Sequence, residues 1–215
     1  MCCFGAMRWG CDVKFDRNIL VVDNEIRKGL RIELAIKDVL MALEIDLSDP
    51  NFTDTPGRVA KAMLEEWFKG YQMNPKDVLT VFPNNGHERD LVVVKDIPLY
   101  STCAHHMSPF IGKAAIAYLP GTYVIGLSKL ARVVDIFARR LQLQEQITWQ
   151  VADCLMSVLE PQGVIVTLYD VMHTCMTSRG VHAHESSTTT SASRGIFLTD
   201  AALRAEAITH MRSGK

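Results

Sequence analysis

The chain has 215 residues, 48% of them hydrophobic and 22% charged, with a formal net charge of −1 at pH 7. That length suits one compact domain, or one domain with a smaller helical appendage, and the composition is that of a globular protein. The near-zero charge excludes a global electrostatic footprint for nucleic acid or an anionic membrane, and no run of 18 apolar residues offers a transmembrane helix.

The opening "MCCFGAMRWGCDVKF" lacks the basic and then long apolar layout of a secretory leader, and residues 1–23 read as a flexible tail. Six irregularly spaced cysteines do not make a disulfide framework in a chain this long, so a reducing, cytoplasmic setting is expected. Cys2, Cys3 and Cys11 read as incidental tail residues. Cys154, in an apolar helical stretch, reads as a small buried hydrophobe.

Residues 24–85 read as a helical region. "NEIRKGLRIELAIKDVLMALEID" is amphipathic, with Ile26, Leu30, Leu34 and Ile36 or Lys37 at near-helical spacing and Val39, Leu40 and Leu43 continuing the stripe. After a turn-rich loop, Thr55 at the N-cap and Pro56 at the first helical position open a second helix, whose apolar face is Val59, Met63, Trp67 and Phe68 and which Gly70 closes. The turn-rich "FPNNGHERD" separates this region from residues 86–215. There "LVVVKDIPLYS" and "GKAAIAYLPGTYVIGLS" read as strands, "KLARVVDIFARRL" and "EQITWQVADCLMSVLE" as helices, and "VIVTLYDVMHTCM" as a long strand. "VHAHESSTTTSASRG" adds His182 and His184, read as residues of a polar loop or, as the alternative, a secondary ligand or regulatory site. A last helix, "TDAALRAEAITHM", has Thr199 as its N-cap. Segregated strands and helices predict an α+β fold with a largely antiparallel sheet.

Chemistry concentrates in two short segments. In "STCAHHMSPF", Cys103 and His106 are spaced C-x-x-H, which lets one turn aim both side chains at one ion. In the predicted long strand, His173 and Cys175 are two apart and so share a face. Two Cys and one His with an open position make a known type of catalytic zinc sphere, which Cys103, His106 and Cys175 would fill. His105 and His173 then lie beside the metal without being needed by it. Neutral imidazoles suit proton transfer, so the residues read as zinc-assisted hydrolysis with two histidine proton carriers.

A second cluster disobeys the helix dipole. Ser128 reads as an N-cap, followed by Lys129 and Arg132, where a helix start ordinarily prefers acids. A phosphate bound there would turn that repulsion into attraction. Arg179, four residues past Cys175, adds a further cation. Gln144 and Glu145 stand where a loop enters a helix. Glu145 is either a favourable first-turn acid or a carboxylate that accepts two hydrogen bonds from a guanine-like N–H and NH2 edge.

"CAHHMSPFIGKAAIAYLP", "VIGLSKLARVVDIFARRLQLQEQIT" and "MHTCMTSRG", in this order, closely resemble GTP cyclohydrolase I, and "TPGRVAKAMLEEWFKGY" resembles that family's N-terminal helical region. The resemblance runs from about residue 25 to about residue 210. It implies a tunnelling fold, an antiparallel sheet with two helices packed on it. It also implies a homodecamer of two pentamers with sites between subunits. The implied reaction converts GTP and water into formate and 7,8-dihydroneopterin triphosphate, the entry to pterin and folate-type biosynthesis. Zinc ligands are then Cys103, His106 and Cys175, and catalytic histidines His105 and His173. Ser128, Lys129, Arg132 and Arg179 are implied on the triphosphate, and Gln144 and Glu145 on the guanine. A regulatory protein partner is compatible with this reading but has no signature in the sequence.

One position departs from the pattern. The family usually reads C-E-H-H, and here Ala104 replaces the Glu. Two rival expectations follow. One is a homologue with altered nucleotide choice or one that stops after ring opening. The other is a zinc- and nucleotide-binding subunit without turnover, against which the retained His105 and His173 argue.

Overall fold

The computed structural model describes residues 17–86 and 88–212. Cys2, Cys3, Cys11 and most of the expected tail lie outside them. The chain divides into two compact units, one ending at Ala62 and one starting at Met63.

In the first unit, α1 (Arg17–Ala42) packs against α2 (Thr55–Ala62). The loop between them is tied by its own side chains: Ser48 N–H and Oγ donate to Asp46 Oδ1, and Asn51 N–H donates to Asp49 Oδ1. Helical bonding reaches one residue further back than expected, since Arg58 N–H donates to Asp54 O, and Thr55 is already helical. The expected stripe is met only in part. Of its members Ile36 and Leu40 are half-buried, joined by Ile32, whereas Ile26, Leu30, Leu34, Val39 and Leu43 are each more than half exposed.

The second unit opens with a π-helical turn (Met63–Trp67), a 3-10 turn holding Gly70 (Lys69–Gln72) and the short α3 (Pro75–Val78). Two short strands, β1 (Val81–Pro83) and β4 (Tyr123–Ile125), pair with each other. The main sheet contains β2 (Val92–Cys103), β3 (Pro109–Leu119), β5 (Leu141–Gln142), β6 (Gly163–His173) and β7 (Thr188–Gly195). Its order is β5-β2-β3-β6-β7, antiparallel except for the two-residue β5 beside β2.

Between β3 and β6 the chain forms α4 (Leu127–Ala138) and α5 (Gln144–Leu159), which pack on one face of the sheet. Leu99, Ile116, Val166 and Leu168 meet Leu130, Val134, Ile147, Val151 and Leu155 there, and all are fully buried. On the other face Ala115, Ala117 and Ile165 are covered by Phe197 and by α7 (Ala201–Arg212) through Ala207 and Met211. The small side chains of "KAAIAY" let both layers approach β3. This is the expected α+β arrangement, a largely antiparallel sheet with two helices packed on one face. Among the described residues, no helix is long and apolar enough to cross a membrane.

Three local expectations are corrected. The polar "ESSTTTSASRG" stretch contributes β7, an edge strand whose Thr188 and Thr190 share one face. The cap of α7 is Asp200, whose Oδ1 accepts from Leu203 N–H at 2.9 Å, while Thr199 Oγ turns back to Ile196 O. Ser128 is inside α4, and Gly126 holds the cap position with no side-chain bond.

β7 ends at Gly195 with φ 63° and ψ −138°, a region only glycine occupies readily. A Cβ there would sit 2.2 Å from Gln162 O, the carbonyl that accepts from Ile196 N–H. Gly195→Ala is therefore expected to cost about 3 kcal/mol in urea unfolding, from backbone strain with no room to relax. An unchanged urea midpoint would contradict this reading of the strand end.

Candidate active site

Strand alternation delivers the first thiol. Ile97, Leu99, Ser101 and Cys103 are buried on the helix-facing side of β2, and Cys103 is its last residue. The chain then reverses tightly. Met107 N–H donates to Cys103 O (2.9 Å), Cys103 N–H donates to Ser108 O (2.8 Å), and Met107 adopts φ 51°. Ala104 N–H donates to Gln142 O (3.0 Å), which pins the turn to β5. Cys103 is thus turned inward, while Ala104, His105 and His106 stand exposed on the reversal.

The second thiol arrives by a different route from the one expected. β6 ends at His173, and Thr174–Thr177 form a helical turn, α6, in which Ser178 N–H donates to Thr174 O. Cys175 is therefore not on a strand face shared with His173. The helical turn instead carries its Sγ to the Cys103 turn, and Thr174 Oγ donates to Pro109 O (2.6 Å) to hold it there. One ligand atom each from Cys103, His106 and Cys175 lies within 4.8 Å of the others, and His106 Nδ1 is 3.9 Å from Cys103 Sγ.

The donor chemistry fits a divalent transition metal. Two thiols and an imidazole are the soft and borderline donors of zinc sites. Burial, and after it the neighbouring Cys103 thiol, pushes the Cys175 thiol up, because two sulfur anions side by side repel. A cation between them reverses that sign. Arg179 joins the cluster, donating from Nη1 to His106 Nε2 at 2.8 Å. His105 is beside it, its ring centroid 6.1 Å from that of His106.

His173 is half-buried and stacked on the ring of buried Phe110, centroids 4.6 Å apart. Burial pulls its ionisation below the ordinary histidine value, and the nearby Glu145 carboxylate partly opposes this. Its Nε2 is 2.8 Å from Gln144 Oε1. Gln144, the first residue of α5, is only 3% exposed, whereas Glu145 after it is exposed. Thr188 and Thr190 of β7 hydrogen-bond to the Gln144 side chain. Neither threonine nor Phe110 stands out in the sequence; the one available signal was a pair of β-branched residues two apart.

The remaining residues are placed elsewhere. Ser128, Lys129 and Arg132 lie in the first turns of α4, Ser128 and Arg132 exposed and Lys129 half-buried. Ser101 Oγ donates to Ala138 O, so the opposite end of α4 is anchored beside Cys103. At about 1.5 Å rise per residue, Ser128 lies about 15 Å back along the axis and Arg132 about 9 Å. His182 and His184 sit exposed in the loop after α6. Cys154 packs against the core, and burial raises its thiol.

A family model described as GTP cyclohydrolase I matches residues 32–212. The chain is 50% identical over 180 residues to GTP cyclohydrolase 1 of Thermobifida fusca, covering 83% of this chain and 86% of that protein. It is 51% identical over 180 residues to GTP cyclohydrolase 1 of Clostridioides difficile, covering 83% and 93%. Among solved structures, an archaeosine synthase QueF-like chain matches with a TM-score of 0.38 at 20% identity, over 49% of this chain and 93% of that one.

Proposed function

The chain belongs to the GTP cyclohydrolase I family, and we propose on that premise that it converts GTP and water into formate and 7,8-dihydroneopterin triphosphate. The observation that carries the reading is the convergence of Cys103, His106 and Cys175, with Arg179 bonded to His106 and His105 alongside. When bound by those three residues, zinc supplies Lewis-acid activation of water at neutral pH.

The protein's own groups do the rest. His106 faces the thiols with Nδ1; with that atom in the donor set, Nε2 carries the ring proton and no longer accepts. Arg179 is then released from Nε2 to an anionic ligand. His173 exchanges a proton with the imidazole-ring nitrogen of the purine as that ring opens. His105, exposed at the turn, serves the later proton transfers of ribose opening and ring closure. Glu145 accepts from the guanine N–H and NH2 edge. Gln144, beside it, bonds through Oε1 to His173 Nε2.

Ser128, Lys129 and Arg132 would hold the triphosphate with Arg179. Their displacement along α4 from the metal cluster supports a homo-oligomer, in which the start of α4 in one copy serves the cluster of another. The exposed apolar stripe of α1 supplies surface for such an assembly, the decamer of the family being the arrangement we propose. Ala104 presents a methyl group at an exposed position of a turn held by backbone bonds, so the reversal needs no carboxylate.

Incubated with GTP and zinc, the protein is expected to release formate and a pterin that fluoresces after oxidation, and a chelator should remove both. Formate without pterin would mean a stalled reaction. GTP binding at full zinc occupancy with neither product would mean a binding subunit instead of an enzyme.

A further inference from the structure

Gln144 lies at the end of a chain of hydrogen bonds whose directions are determined. Its own backbone carbonyl can only accept, so Thr148 Oγ donates to it (2.9 Å). Having spent its proton there, Thr148 Oγ must accept from Thr190 Oγ, 2.7 Å away. Thr190 Oγ has then spent its own proton, so it accepts from the Gln144 side chain at 3.2 Å, and the atom facing it is the amide nitrogen Nε2. The backbone carbonyl of Thr188, 3.5 Å from the same nitrogen, agrees with that orientation. Gln144 Oε1 therefore faces the other way, where it accepts from Thr188 Oγ (2.5 Å) and from His173 Nε2 (2.8 Å). An amide oxygen cannot donate, so His173 Nε2 carries a proton.

Both lone-pair directions of Oε1 are thus engaged inside the protein, and Nε2 donates to Thr190 Oγ, in a residue that is 3% exposed. We infer that Gln144 is a positioning residue: the Thr148–Thr190–Gln144 chain holds the His173 proton on Nε2 and leaves Nδ1 as the nitrogen that exchanges a proton with substrate. The inference rests on the proposed proton-carrying role of His173. It separates the two adjacent polar residues, with Glu145 on the purine and Gln144 on the histidine. Thr148 is 2% exposed, and Thr190 stands on an edge strand, so the direction of the relay is set by two threonines to which no substrate contact is assigned.

The test is nitrogen-15 NMR of the zinc-loaded protein carrying labelled histidine, with His173 assigned by loss of its signals in His173→Ala. Nδ1 of neutral His173 is expected at the position of an unprotonated ring nitrogen, and a protonated Nδ1 would overturn the inference. Thr190→Val should blur the single tautomer into an exchanging pair, and an unaltered spectrum would count against the relay. In turnover assays, Gln144→Leu should lower kcat about 10- to 100-fold while KM for GTP changes by less than about threefold. A rise in KM at unchanged kcat would make Gln144 a substrate contact. If His173→Ala keeps its turnover, the proposed role of His173 falls, while the measured tautomer still reads the relay on its own. Should Gln144→Leu not fold, the wild-type spectrum alone decides.

Discussion

Cys175→Ala is expected to leave the sheet folded and to abolish both metal binding and turnover. Cys175 is half-buried at the start of a single helical turn, with its Sγ against Cys103 and His106. Removing one of the three proposed ligands would take away a thiolate's charge and a coordination position together. Zinc content should fall well below that of the unaltered protein, and formate release should drop by about three orders of magnitude or more, as metal activation of water is lost. The fold should survive, because the core between the sheet and α4 and α5 is built from other side chains. Cys154→Ala is the control: that thiol packs against the core with its ionisation pushed up by burial, and its loss should spare metal and turnover alike. Full zinc and full activity in Cys175→Ala would refute the ligand assignment.

His173→Ala should spare the metal and lower kcat by about 10²- to 10⁴-fold, the range for removing a general acid or base. The three ligand atoms do not include it, and the turn carrying Cys175 is held separately by Thr174 on Pro109 O. Substrate affinity should change little, so the loss should appear in kcat and not in KM. A modest stability cost, about 1 kcal/mol, is expected from losing the stack on Phe110. Retained zinc with lost turnover distinguishes a proton carrier from a ligand. Loss of zinc in His173→Ala would place the histidine in the metal's coordination sphere instead.

Much of the fold was legible because its signals are local. Period-two burial along β2 and the helical stripes of α4 and α5 read directly from residue spacing, and so did the segregated order of strands and helices. β7 was not legible. Its threonines and serines carry no hydrophobic alternation, and they form a strand because β6 offers an open edge to pair with. The α1 stripe mixed two overlapping apolar rows: Ile36 and Leu40 are half-buried, Ile26, Leu30 and Leu34 exposed, and which row is covered is a packing outcome. The caps failed similarly. Ser128 and Thr199 are good cap formers, but the backbone bends one or two residues away from each, at Gly126 and Asp200.

For the site, the sequence alone determined the chemical inventory. The C-x-x-H spacing, the second Cys, the spare histidines and the cations at a helix start name candidate donors and proton carriers, because residue type dictates what a group can bind or transfer. Tertiary structure decided how those groups are used. A helical turn, not a strand face, brings Cys175 to Cys103, and the length of α4 sets Ser128, Lys129 and Arg132 apart from the Cys103–His106–Cys175 cluster. Two threonines from an edge strand orient the Gln144 amide and through it the His173 proton. Hydrogen-bond direction depends on which acceptor-only atoms close the chain, and those atoms come together only when segments more than forty residues apart in sequence are packed side by side.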